Sequence, residues 1–101
     1  MGTRIQLQSK LEELLGSSNI YYQSPPSTGM KYPAILYSKG RLESVYADNN
    51  KYAIRTRYDL IVIDKRPDNP VIKALMELPY CSYDRSYKSD NLYHDSLTLY
   101  Y

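Results

Sequence analysis

Histidine and cysteine each occur once in this chain, at His94 and Cys81, so side-chain chemistry has few places to reside. His94-Asp95 is the one pair with the residue types of an acid–base couple. In an extended segment adjacent side chains point to opposite sides, which leaves Asp95 badly placed to orient the His94 ring. A Cys81–His94 nucleophile–base couple would need the two residues to meet across a hairpin, and a third group to hold the imidazole. The strand register expected below supplies neither. A structural zinc site asks for four ligands, and one cysteine with one histidine does not approach that set. The residues therefore predict no enzyme, no metal and no cofactor.

Two stretches have a binding outline instead. Lys51, Arg55 and Arg57, interleaved with Tyr52 and Tyr58, resemble the basic and aromatic face of an RNA-binding sheet. Strand alternation, however, puts the arginines on one side and both tyrosines on the other. A solvated face, or one that meets acidic residues of a neighbouring subunit such as Glu43, Asp48 and Glu77, fits that alternation better. The second stretch is Asp68-Asn69-Pro70, a helix start whose free N–H groups could face an anion. It lacks a glycine-rich approach and reads as a cap. A net charge of +2 and a pI near 8.6 give little counterion release, so the bulk electrostatics do not argue for nucleic acid.

The element that positions these residues is YAIRTRYDLIVIDK, residues 52 to 65, the longest β-branched and aromatic run without Gly or Pro. One side carries Ile54, Thr56, Tyr58, Leu60 and Val62. The other carries Arg55, Arg57 and Asp59, then Ile61 and Ile63. The first half reads as a strand with one wet face and the second as a strand covered on both, central in a sheet beneath a helix. Ahead of it, Thr3 and Gln6 have capping-box spacing, and Leu7, Leu11, Leu14 and Leu15 recur at helical intervals up to Gly16, the natural C′ residue. A helix is expected over about 4–15.

Short strands follow at about 20–22 and 33–38, separated by the Pro-rich loop QSPPSTGMKYP. Ser38-Lys39-Gly40 reads as a turn. RLESVYA, residues 41 to 47, is either a strand returned as a hairpin through Asp48-Asn49-Asn50 or a projecting loop. A second helix is expected over about 70–78, with Asn69 as cap, Pro70 at its first position and Val71, Ile72, Leu75 and Leu78 on the buried side. The chain closes with strands at about 80–87 and 93–101. A five-residue loop from Lys88 to Leu92 sets Arg85 opposite Asp95, Tyr87 opposite Tyr93 and Tyr83 opposite Leu97, and keeps Asp84 away from Asp95. Arg85 would then share a face with Cys81, Leu97, Leu99 and Tyr101.

The fold class that results is α+β: one mixed or antiparallel sheet of four to five strands against two helices, with a C-terminal β-hairpin, in a single domain over 1–101. A chain of this size buries roughly 60–65% of its unfolded surface, so such proteins often complete their burial by associating. Thirteen tyrosines, with no Phe and no Trp, fill a shallow core and also suit subunit contacts. Tyr46, Tyr52, Arg55 and Arg57 are the residues expected near such a contact. A lone cysteine fits a reducing compartment. MGTRIQLQSK has no apolar leader core, Gln6 stands where acylation needs Ser or Thr, and no run reaches the roughly 20 apolar residues of a membrane span. These observations predict a soluble cytosolic protein.

KYPAILY at 31–37, RYDLIVIDKRPDNP at 57–70 and above all LPYCSYDRSYKSDNLYHDSLTLYY at 78–101 resemble the small tail terminator proteins of long-tailed bacteriophages and prophages. These are also described as tail completion, minor tail or head–tail joining proteins. With the leading helix the likeness covers most of the chain, though not Ser38 to Asn50. It implies a structural role without catalytic residues. Several copies, usually six, would form a ring on the end of the tail tube, stop its growth and dock onto the head connector. The implied partners are the chain itself, the tail tube protein and a head connector or completion protein, with DNA passing through the lumen and no membrane. The implied location is the tail end at the head–tail joint, reached from the host cytoplasm. Other components of the same joint, or a small sheet-based nucleic-acid binder, are the competing expectations.

Overall fold

A computed structural model describes residues 4–23, 31–47 and 50–101, with side chains described outside 41–55. The elements run α1 (Arg4–Leu15), β1 (Ile20–Tyr22), β2 (Ala34–Ala47), β3 (Asn50–Asp64), α2 (Val71–Met76), β4 (Cys81–Ser89) and β5 (Leu92–Tyr100). The strands form one five-stranded sheet in the order β1-β2-β3-β5-β4. β1 lies parallel to β2 and every other neighbour is antiparallel, so the sheet is mixed and the α+β class holds. The expected middle strand, β3, is the middle strand.

α1 ends where its sequence says it should. Gly16, at φ +80°, donates its N–H to the Glu12 carbonyl at 2.9 Å, and a left-handed residue there costs glycine nothing. The Thr3 half of the expected capping box lies outside the described residues. At the second helix Pro70 is already helical (φ −62°, ψ −18°), and the Asn69 Oδ1 accepts from the Val71 N–H at 2.9 Å. Asn69 Nδ2 donates in turn to Asp64 at 2.6 Å, which fixes the cap to the end of β3.

Both helices pack on the same face of the sheet. Leu7 and Leu11 of α1 and Val71 and Leu75 of α2 close over Ile35, Tyr37, Tyr58, Leu60, Val62, Leu97 and Leu99. Burying each such aliphatic side chain contributes about 1.5–3 kcal/mol. Tyr37 is the largest side chain enclosed completely. Its hydroxyl donates to Gln8 Oε1 and receives a long 3.5 Å contact from Arg4, so a helix and a strand share one buried polar group. Burial pushes the Tyr37 phenol above its ordinary value of 10.0, as it does for Tyr58.

Three expectations are corrected. Ser38-Lys39-Gly40 is no turn: β2 runs through it to Ala47, and Gly40-Arg41 together face Arg57 in a bulge between the Lys39–Tyr58 and Leu42–Thr56 rungs. A bulge absorbs the glycine without ending the strand. The C-terminal loop is two residues, Asp90-Asn91, both left-handed (φ 54° and 61°), which is the tight hairpin geometry, rather than five. The register therefore differs: Tyr83 opposes Leu97 as expected, but Arg85 meets Ser96, Ser86 meets Asp95 and Tyr87 meets His94. The extra residue is Asp84, bulged out to accept from the Thr98 hydroxyl at 2.9 Å. That bulge removes the Asp84–Asp95 repulsion which had argued for a longer loop. It also turns Arg85 to the face opposite Leu97.

Candidate association surface

The β2–β3 pair is longer than the sheet that holds it. β1 pairs with β2 only over Ile35–Tyr37, and β5 with the residue after it pairs with β3 only over Thr56–Asp64. Thr56 still exchanges both backbone hydrogen bonds with Tyr101, at 3.3 and 3.0 Å, so it is from the Glu43–Arg55 rung to the Ala47–Asn50 rung that the two strands pair with each other alone among the described residues. The result is a two-stranded arm of five rungs, about 17 Å at about 3.3 Å per residue. The long dimension of the chain, 45 Å, matches what two strands of 14 and 15 residues span when they run nearly straight.

All four residues expected at a subunit contact belong to this arm or its root. Glu43 and Arg55 are register partners, as are Tyr46 and Lys51. Tyr52 is the extra residue of a second register shift, between Val45 and Tyr46. The side chains of Tyr46, Tyr52 and Arg55 lie outside the described residues. Arg57 stands at the root, half-exposed, with its Nε 3.3 Å from Asp59 Oδ1. A Cβ on Gly40 would come within 3.2 Å of the Arg57 carbonyl oxygen and 3.3 Å of its Cγ. Glycine there lets the Arg57 backbone and stem lie close across the bulge.

The sheet face opposite the helices carries Leu36 and Ile61, which are register partners and half-buried, beside Ala34 and Ile63, which are buried. Along the rows through these pairs lie Ser96, Arg85, His94 and Tyr87. Tyr87 and His94 stack at 4.8 Å with planes 13° apart, and Arg85 sits 5.1 Å over the Tyr87 ring. Ile61 and Ile63 thus form an apolar strip, but no helix among the described residues roofs it, because α1 and α2 took the other face. Tyr58 is buried among the core residues while Arg57 is on the reverse face, so these two do not share the surface that an RNA-binding sheet needs.

The residues considered for chemistry stay apart. The His94 Nδ1 lies 3.1 Å from the Leu92 carbonyl oxygen, whereas Asp95 accepts from the Tyr83 hydroxyl at 2.6 Å. That bond holds the Tyr83 phenol proton and raises its pKa. Cys81 opposes Leu99, five residues along β5 from His94, and burial raises its thiol with help from Asp84. A groove of about 520 Å³ runs between Tyr83, Asp95 and the Asp68-Asn69-Pro70 corner. It contains a phenol hydrogen-bonded to a carboxylate and one lysine, Lys73, but no nucleophile with a base beside it. Asn69 engages the first free N–H of α2, so that end serves as a cap. Among the described residues no three metal-ligating side chains converge, and no helix is long and apolar enough to cross a membrane. Comparison of the chain with protein-family models, curated proteins and solved structures returns no match.

Proposed function

We propose that this chain is a structural assembly protein of a phage tail, a terminator that forms a ring on the tail tube and joins it to the head connector. The observation that carries the reading is the combination of a one-sided core with a five-rung arm. A two-stranded ribbon is marginal by itself in water, so the arm asks for a surface outside its own subunit. The terminator-like strings at 31–37, 57–70 and 78–101 form the framework around that arm: the start of β2, the paired half of β3 with the corner before α2, and the whole β4–β5 hairpin. A small subunit with two different contact surfaces closes into a ring by repeating one head-to-tail contact. In this reading the partners are further copies, six in the ring, the tail tube protein and the head connector or completion protein. The mild positive charge lets DNA pass without being held. The protein acts without catalysis, assembling in the host cytoplasm and residing at the head–tail joint of the virion. A head-completion, connector or tube protein of the same virion shares the fold argument, and tube growth separates the two. Purified chain added to polymerising tail tube protein is expected to give short tubes of fixed end structure by electron microscopy. Tubes that grow to the same length with and without it would refute the terminator role.

A further inference from the structure

β4 is an open edge of the sheet. It has β5 on one side and no strand on the other among the described residues. It runs nine residues without a proline, whereas the opposite edge, β1, is three residues long. Alternate residues of β4 must therefore turn their backbone groups outward. Tyr100 donates its N–H to the Tyr80 carbonyl at 3.1 Å, so that rung is of the hydrogen-bonded kind. Alternation then turns the N–H and C=O of Cys81 and Tyr83 away from β5. From the other end, the two-residue turn closes on a hydrogen-bonded rung at Ser89–Leu92, which turns Lys88 and Ser86 outward. The extra residue at Asp84 makes the step from Tyr83 to Ser86 three residues instead of two. Tyr83 and Tyr87 stand on this strand 40% and 37% exposed.

A bulge normally protects an edge, because a regular strand laid along it falls out of step at the extra residue. The strand that carries a matching extra residue is β4 of a second copy. Set antiparallel about a two-fold axis between Asp84 and Arg85, outward residues meet outward residues: Cys81 faces Lys88 across the axis, and Tyr83 faces Ser86. The sides of the sheet agree as well. Tyr83 and Ser86 oppose Leu97 and Asp95 and so share the helix side. Asp84, bonded to Thr98, lies with Ser82, Arg85 and Tyr87 on the reverse side. Each tyrosine then faces a serine, Tyr83 with Ser86 and Tyr87 with Ser82, and each Asp84 faces an Arg85. A shift of one residue in either direction would set Asp84 against Asp84 or Arg85 against Arg85.

We infer that the β4 edges of two copies pair antiparallel about Asp84 and Arg85, joining their two five-stranded sheets into one. This goes beyond the assembly reading and does not rest on it. A two-fold contact is complete at two copies, so it adds a dimer to whatever the head-to-tail contact builds.

The test uses full-length chain carrying Cys81→Ala, so that only introduced thiols react. One protein carries Ser82→Cys and another Tyr87→Cys, which this register makes direct neighbours across the axis. Two copies of position 82 stand five residues apart in it, about 17 Å at about 3.3 Å per residue. Mixing the two proteins under mild oxidation is expected to give a disulfide-linked pair that neither gives alone. No linked pair in the mixture, or as much from the Ser82→Cys protein by itself, overturns the inference. Ser86→Pro added to both proteins removes an outward N–H without touching the ladder to β5, and is expected to abolish the link. Arg85→Asp in both sets carboxylates against each other with the backbone unchanged, and is expected to abolish it too. Circular dichroism checks that each variant folds. Folded variants that still link as the parents do would mean contact without strand pairing, and would overturn the inference while leaving the tube-length experiment unaffected.

Discussion

Replacing Tyr37 with phenylalanine deletes a single oxygen from a fully enclosed side chain. The ring keeps its neighbours, Tyr22 at 4.8 Å and Tyr58 at 6.0 Å between centroids, so no cavity opens and the change isolates the hydroxyl. That hydroxyl donates to Gln8, whose amide nitrogen is committed to the Ile20 carbonyl at 3.3 Å. Losing a neutral hydrogen bond costs about 1 kcal/mol, and stranding the half-buried Gln8 carbonyl oxygen brings the total to about 1–2 kcal/mol. For a domain of this size each kcal/mol lowers Tm by about 4–8 °C. Tyr37→Ala removes the ring as well and is expected to cost about 3–5 kcal/mol. Urea unfolding at pH 7, followed by circular dichroism, measures both. The decisive comparison is Tyr37→Phe in a Gln8→Ala background, where most of its cost should vanish and leave a coupling of about 1 kcal/mol. If Tyr37→Phe costs the same in both backgrounds, or nothing in either, this hydroxyl does not tie α1 to β2.

Stability should fall in alkali: Cys81, Tyr37 and Tyr58 are raised above ordinary values of 9.0 and 10.0 by burial, so the unfolded chain loses these protons first. A pH series of urea midpoints is therefore expected to be flat with respect to these groups below about pH 9 and to drop above it, less steeply in Tyr58→Phe; a flat curve to pH 11 would contradict the burial. In the Asp90-Asn91 turn, Asn91→Gly should leave Tm unchanged or higher, while Asn91→Val should cost about 1–2 kcal/mol, since φ is 61° there. Equal Tm values for the two would speak against the two-residue loop. Gly40→Val places side-chain atoms against the Arg57 backbone and is expected to cost about 1–3 kcal/mol by thermal melting and to disturb assembly as well.

Both helices and the middle strand were legible in the sequence because their signals are local. The Leu7, Leu11, Leu14, Leu15 spacing and Gly16 define α1, Asn69-Pro70 defines the start of α2, and the alternation from Thr56 to Val62 names the core side of β3. Tyr46, Tyr52, Arg55 and Arg57 could be singled out by type, but not seen as one projecting arm. An arm exists only through what its neighbours fail to reach, and the lengths of β1 and β5 are set elsewhere in the chain. Gly40 looked like a turn because glycine marks both turns and close approaches, and here it is the Arg57 backbone, 3.2 Å from where a Cβ would stand, that asks for it.

Residue order alone thus determined the two helices, the middle strand and which of their sides are apolar, since neighbouring residues fix backbone preference and period; the extension of β2 through Ser38-Lys39-Gly40 to Ala47 it did not determine. Tertiary structure decided the register of β4 on β5, through the Asp84 bulge and its bond to Thr98, and the choice of one sheet face for both helices. Those choices depend on partners far apart in sequence, and a single extra residue in one strand turns every later side chain to the other face.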